Sequence, residues 1–190
     1  MELSRALYVG LVAVVAALRF VELGISKKNQ ARLAAQGAKR APDPRFPAMV
    51  VLHTAVLAGA AAEVVFLERP FYPMLGAVMG ALFLGANGLR WWVIRTLGTH
   101  WNVQVMDSAR LGVVTTGPYR WVRHPNYTAV FVEMLALPMI HTAWITATAG
   151  GVAHAWVLRG RVVAEERVLL ADPGYCAAMA AKPRFLPHLF

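Results

Sequence analysis

The sequence predicts an all-α integral membrane bundle of about five transmembrane helices, closed by a cytoplasmic C-terminal helical segment. Three observations predict it. First, 58% of the 190 residues are hydrophobic and the mean hydropathy is +0.50, above the range usual for a soluble domain. Second, several apolar runs approach the roughly 20 residues that a helix needs to cross a bilayer. Third, the formal net charge of +9 is carried mainly between those runs, which suits anionic headgroups and membrane topology better than nucleic acid. The length fits one domain, residues 1–190. The single cysteine, Cys176, excludes an intrachain disulfide and a cysteine-rich zinc site, and is expected to be a small packed residue. No cleavable signal peptide is evident after the first run.

The expected spans are residues 6–23, 47–67, 73–94, 128–137 and 140–158. The last two come from one apolar stretch that is too long for a single span and holds Pro138 near its middle, so it reads as a hairpin. Lys27, Lys28, Arg32, Lys39, Arg40 and Arg45 crowd the first connection, whereas the next has only Arg69. Arg110, Arg120 and Arg123 follow the third span, and Arg159, Arg161, Arg167, Lys182 and Arg184 follow the fifth. This alternation predicts an outside N-terminus and a cytoplasmic C-terminus, with both later polar segments on the cytoplasmic face. "APDPRFP" reads as an extended turn into the second span.

Ionisable groups inside spans are costly and often functional. Arg19 and Glu22, three residues apart, are expected to pair locally, with the arginine reaching toward the interface. Glu63 is expected at the outer interface. Asn87 and Arg90 can face the bundle interior, Trp91 and Trp92 suit an aromatic belt, and Gly80, Gly85 and Gly88 suit close helix packing. His53, His141 and His154 form no tight ligand cluster, so no metal site is expected. Glu133, deep in the fourth run, is either a structural hydrogen-bonding group or part of a site.

Polar chemistry concentrates in three segments: "WNVQVMDSARLGVVTTGPYR", "RHPNY" and "RGRVVAEERVLLADPGY". In the third, Arg161 and Glu165 share one helical face at i and i+4; taken alone they could be a surface ion pair.

"GPYRWVRHPNY", a helical hairpin and then "RVVAEERVLL" resemble the isoprenylcysteine carboxyl methyltransferase family from about Leu97 onward. The motif is shared in part with phospholipid N-methyltransferases and some sterol reductases. "RFVELGISKKNQARLAAQGA" and "LPMIHTAWITA" further resemble bacterial members found beside type III polyketide synthases. The resemblance implies an S-adenosylmethionine pocket on the cytoplasmic side. It would be lined by Gln104, Leu111, Gly112, Val113, Val114, Tyr119, His124, Pro125, Asn126, Tyr127 and Glu165, with Arg161 facing the substrate. Ala129 stands where the family often has glycine, and the family's Gly-Glu-Glu-Tyr tail is reduced to Gly174 and Tyr175.

These residue types suit methyl transfer, which chiefly needs alignment of the reactants and exclusion of water. Gln104, Glu165, His124 and the tyrosines supply polar partners. Tyr119 or Tyr127 can face a sulfonium, and Leu111, Val113 and Val114 suit an adenine slot. Arg161 can hold an anionic acceptor. A carboxylate acceptor needs no base, whereas a neutral phenol does, with Glu133 or His124 available. The reading is therefore an O-methyltransferase acting on a lipophilic acceptor: an isoprenylcysteine-type carboxylate, an alkylpyrone or alkylresorcinol hydroxyl, or another lipid. An NADPH-dependent membrane reductase, a phospholipid N-methyltransferase and a non-enzymatic membrane scaffold are the alternatives. Membrane lipids are the expected surroundings, no nucleic acid is expected, and the oligomeric state is not readable.

Overall fold

A computed structural model describes residues 2–186. Residues 187–190, the end of the C-terminal motif region, lie outside the described residues. The chain is mostly helical: α1 (Glu2–Ala35), α2 (Phe46–Phe66), α3 (Pro73–Leu97), α4 (Pro125–Met139), α5 (Trp144–Leu169) and α6 (Pro173–Met179). Each of the five expected runs forms a helix. Among the described residues, the helices starting at Glu2, Phe46 and Pro73 are long and apolar enough to cross a membrane. The fourth and fifth do not meet that standard. With 15 residues, α4 is about 22 Å long, short of a bilayer core of about 30 Å. Toward its end α5 carries Arg159, Arg161, Glu165, Glu166 and Arg167.

The largest difference from expectation is α1. Its 34 residues extend about 51 Å and include the first half of the basic segment read as a loop. Lys, Gln, Ala, Arg and Leu are good helix formers, so nothing stops the helix at the membrane surface. It ends where Gly37 turns to φ +84. There the Ala38 amide donates to the Leu33 carbonyl at 3.0 Å and the Gly37 amide to Ala34 at 2.9 Å, closing two of the carbonyls that a helix end leaves open. Lys39–Arg40 then pairs antiparallel with Met106–Asp107.

A short connection folds α4 and α5 into a hairpin. Along the bundle, α4 packs between α3 and α5, and α2 packs on α5 and α1. One apolar core joins Tyr8 and Val12 of α1 to Ala60 and Val64 of α2. Another joins Val15 to Phe83, Ala136 and Leu137. Phe20, Val51, Leu84 and Trp156 are exposed, as lipid-facing side chains are in a bilayer. The close approaches occur at glycines other than those expected. A Cβ at Gly80, Gly85 or Gly88 would meet nothing. At Gly150 it would meet Val56, and at Gly151 Leu135, both at 2.6 Å. The small residues that matter therefore seat α2 and α4 against α5. Cys176 is exposed rather than packed.

Charges within the bundle are paired. Glu22 is 2% exposed and accepts from Arg90 Nε at 2.9 Å and Nη2 at 2.6 Å. It also accepts from Arg19 at 2.8 Å. Glu133 completes the group, 3.5 Å from Arg19 and 3.8 Å from Arg90. Arg19 is thus held in a four-residue network spanning α1, α3 and α4, not released to the interface. Glu63 is likewise buried. It accepts from the amides of Ile145 at 3.1 Å and Thr146 at 2.7 Å and pairs with Arg69 at 2.8 Å. A carboxylate there satisfies open amides at the start of α5 and complements its dipole.

The C-terminal segment folds back on the motif. The Arg123 amide donates to the Pro183 carbonyl at 2.9 Å, and the His124 amide to Arg184 at 2.8 Å. The Arg184 guanidinium grips Glu166 at 2.7 Å, and His124 Nε2 lies 3.1 Å from the same carboxylate. Burial alone would raise Glu166. The hydrogen bonds from His124 and Arg184 and the charge of Arg123 outweigh it, holding the carboxyl at about 2 against an ordinary 4.5.

Two outcomes follow from this charge placement. Arg90→Met leaves Glu22 and Glu133 short of a buried cation and should cost about 3–5 kcal/mol. Thermal unfolding in detergent measures this, and adding Glu22→Gln should recover part of the loss. Because Glu166 has a lowered native pKa, its contribution is present above an unfolded value near 4.5 and is lost as the pH falls toward about 2. Hydrogen-exchange protection of the Arg123 and His124 amides should fall across that window, and Arg184→Ala should lower it already at neutral pH.

Candidate active site

The connection from α3 to α4 is built against the lower half of α1. Gly98 turns at φ +53 and begins a single 3-10 turn, Gly98–His100. The Asn29 amide donates to the carbonyls of Gly98 at 3.0 Å and Trp101 at 2.8 Å. Ser26 Oγ accepts from the Val103 amide at 3.1 Å. Trp101 is packed with Val93, Ile94, Tyr119 and Met179. Gly117 turns at φ +55, and a Cβ there would lie 2.5 Å from Thr96, so only glycine fits this start of the "GPYR" turn. Pro125 opens α4 at its first turn, where its missing amide hydrogen costs nothing. Asn126 and Tyr127 are thereby fixed on a helix rather than in a loop.

A single cavity of about 710 Å³ joins these segments to the bundle. One end is polar, with Asn102, Gln104, Asn126, Tyr127, Arg161 and Glu165 in its wall. The other is apolar, between α1 (Val9, Val12, Ala16) and α2 (Met49, Val50, Leu57). Gly112, Val113, Val114, Tyr119 and His124 also line it. Of the residues expected in a site, three fall elsewhere. Leu111 packs against Leu33, Ala38 and Met106. Pro125 serves the helix start. Glu133 lines an adjoining space of about 40 Å³ with Arg19 and Arg90.

The polar end is organised around Tyr127. Its hydroxyl donates to Glu165 Oε2 at 2.6 Å. The tyrosine on α4 thus engages Glu165, while Arg161 on the same face of α5 has partners of its own. Arg161 is 4% exposed. Its Nη2 donates to the Val103 carbonyl at 2.8 Å, its Nη1 lies 3.1 Å from Asp43 Oδ2, and its guanidinium sits 5.8 Å from the Phe46 ring centroid. A surface ion pair is therefore excluded. His124 Nδ1 lies 3.8 Å from Glu165 Oε2. Burial, then the charge of Glu165, raises the phenols of Tyr119 and Tyr175 well above their usual range, so both stay neutral donors.

Several buried polar atoms at this end have no hydrogen-bond partner among the described residues: Asn102 Oδ1, Gln104 Oε1, Asn126 Oδ1 and Arg161 Nε. Buried polar groups are normally satisfied. Three open acceptors and one open donor around a void match a ligand that carries amino, hydroxyl and carboxylate groups. S-adenosylmethionine has these, and the apolar Val113 and Val114 beside them suit its adenine.

Sequence reasoning missed Asp43, Asn102 and Glu166. Asp43 was hidden inside a segment read only as a turn, although its Oδ1 does accept from the Arg45 amide at 3.2 Å. Glu166 was visible as the second acid of Arg-x-x-x-Glu-Glu. Its role depends on the returning C-terminal segment, which no local pattern encodes.

Uncharacterized protein YpbQ of Bacillus subtilis is 28% identical over 160 residues, 84% of this chain and 94% of that one. An uncharacterized protein of Haemophilus influenzae is 25% identical over 158 residues, 83% of this chain and 91% of that one. The solved structure of the eukaryotic intramembrane Ras methyltransferase ICMT shares the fold, with a TM-score of 0.58 at 23% identity over 75% of this chain. This chain spans about half of that longer protein, 53% of it. Residues 78–171, from α3 to the end of α5, match the model of the Isoprenylcysteine carboxyl methyltransferase (ICMT) family. That segment, which forms the polar end of the cavity, is the part of this chain that is similar to the ICMT family.

Proposed function

We propose that the protein is an S-adenosylmethionine-dependent O-methyltransferase that acts on a lipophilic acceptor at the membrane. The observation that carries this reading is one cavity with unsatisfied polar atoms at one end and an apolar groove at the other. A soluble cofactor and a lipid can meet in such a space without either leaving its own phase.

In this reading the open amide oxygens of Gln104, Asn102 and Asn126 accept hydrogen bonds from the amino group and ribose hydroxyls of the cofactor. Val113 and Val114 flank the adenine. Glu165, fixed by Tyr127, takes a further polar group, and the tyrosine faces offer a surface for positive charge. When bound, the cofactor supplies a methyl group on a sulfonium: an oxygen–carbon bond forms as the sulfur–carbon bond breaks, and sulfur keeps the electron pair. Arg161 Nε holds the anionic acceptor oxygen in line for that displacement. The apolar wall excludes water. We assign Glu133 a positioning role, as the counter-charge that keeps Arg19 and Arg90 beside the cavity. The active site faces the cytoplasm in this reading, because Lys27, Lys28 and Arg32 flank the same end of the bundle. The acceptor is a carboxylate of the isoprenylcysteine type or an acidic hydroxyl of the alkylpyrone or alkylresorcinol type.

Calorimetry on the purified protein in detergent should show S-adenosylmethionine binding, weakened about tenfold or more by Glu165→Ala, as expected for loss of a charged hydrogen-bonding partner. No binding to the unaltered protein would end this reading. Arg161→Ala should lower methylation of an added lipid by about a hundredfold while leaving cofactor affinity within about threefold, the pattern of a group acting on the acceptor. Equal losses in both measurements would remove Arg161 from that role.

A further inference from the structure

We propose that His53 and His154 form a polar subsite inside the apolar half of the cavity, which takes a hydroxyl borne along the chain of a lipid. The name "acceptor" for that lipid rests on the methyl-transfer reading above; the subsite itself does not. The two rings stand edge to face, with centroids 5.4 Å apart at 83°, and both line the cavity. Their neighbours in the wall include Met49, Val50, Val130 and Val157, and the Phe131 ring lies 6.0 Å from His154. Neither histidine touches the polar end built around Tyr127.

The hydrogen-bonding state of the pair specifies the guest. His53 Nδ1 lies 2.7 Å from the Met49 carbonyl. A carbonyl only accepts, so Nδ1 carries the hydrogen, and in the neutral ring Nε2 is left as an acceptor. His154 is 2% exposed, and neither of its ring nitrogens has a hydrogen-bond partner among the described residues. A neutral imidazole offers one donor and one acceptor. The subsite therefore presents both kinds of group and needs a guest that both gives and takes a hydrogen bond. A hydroxyl does; a ketone or ester carbonyl leaves His53 Nε2 unmet. Two histidines alone do not make a metal site, and no group of three candidate ligands occurs among the described residues.

Position along the helices gives the register. His154 precedes Arg161 by two helical turns on α5, about 10 Å along the axis. The cavity wall on α1 runs from Val9 to Leu23, about 21 Å, longer than one leaflet of about 15 Å. An acyl-length chain anchored by its anionic head at Arg161 thus passes the histidines partway along, with apolar wall beyond them. The matching lipid has an anionic head, a hydroxyl near the middle and an apolar end.

Oleic acid and ricinoleic acid, which adds a mid-chain hydroxyl, are the probes. Equilibrium binding is measured on the full-length protein in nanodiscs without S-adenosylmethionine. Ricinoleic acid should bind about tenfold more tightly, the value of a satisfied buried hydrogen bond. His154→Phe and His53→Phe should each bring the ratio near one while oleic acid affinity is kept, and His154→Gln should retain part of the preference. Equal binding of the two acids to the unaltered protein, binding of neither, or a preference that survives both phenylalanine variants would overturn the proposal. Calorimetry of S-adenosylmethionine on the same samples separates the two readings. A hydroxyl preference without cofactor binding sinks methyl transfer alone, and cofactor binding without the preference sinks the subsite alone.

Discussion

The two-pronged contact between Glu22 on α1 and Arg90 on α3 is the constraint around which the molecule is arranged. Inside a low-dielectric bundle neither charge can be left alone, and neither can move away without stranding the other. The pair lies in the wall of the main cavity, where the apolar groove meets the polar end. It fixes how far α1 slides along α3. That register in turn puts Ser26 and Asn29, one and two turns further on, under the carbonyls and amide of residues 98–103. The loop that forms one side of the cavity therefore takes its shape from a charge pair placed above it. Glu133, reaching from α4, ties the helix that begins with Pro125 into the same frame.

Tyr127 has the corresponding task at the other side of the cavity. A phenol on the first turn of α4 hydrogen-bonds to Glu165 on α5, so the mouth of the helical hairpin is set by a polar contact while its far end is set by glycines. Gly150 and Gly151 let Val56 and Leu135 approach α5 closely. Close packing away from the site and a polar bridge at the site leave open space only where the two sides diverge. The cavity thus follows from how the helices are held apart.

What the sequence disclosed follows from how local each signal is. The five helical runs were legible because hydropathy and length are local properties. The polar walls were legible because "GPYRWVRHPNY" and "RVVAEERVLL" keep their chemistry within short stretches. The length of α1 was not, because charged residues were read as the end of a span although they propagate a helix as well as apolar ones do. Glu63 was misplaced at an interface, since its partners are backbone amides at Ile145 and Thr146, which carry no mark in the sequence. Gly80, Gly85 and Gly88 made a tidy pattern that meets nothing. The glycines that do pack closely form no such spacing. Asp43 and Glu166 gain their roles from segments distant in the chain.

The strap of residues 183–185 has a consequence for biogenesis. Arg123 and His124 are synthesised some sixty residues before Pro183 and Arg184, yet their amides are satisfied by those later carbonyls. Until then the wall containing His124 lacks its brace, and Glu166 lacks its clamp. The half-inserted chain has its greasy channel before it has a finished polar chamber. Completion of the chamber is thereby tied to completion of the chain, so a nascent or truncated protein meets lipids first and small soluble ligands last.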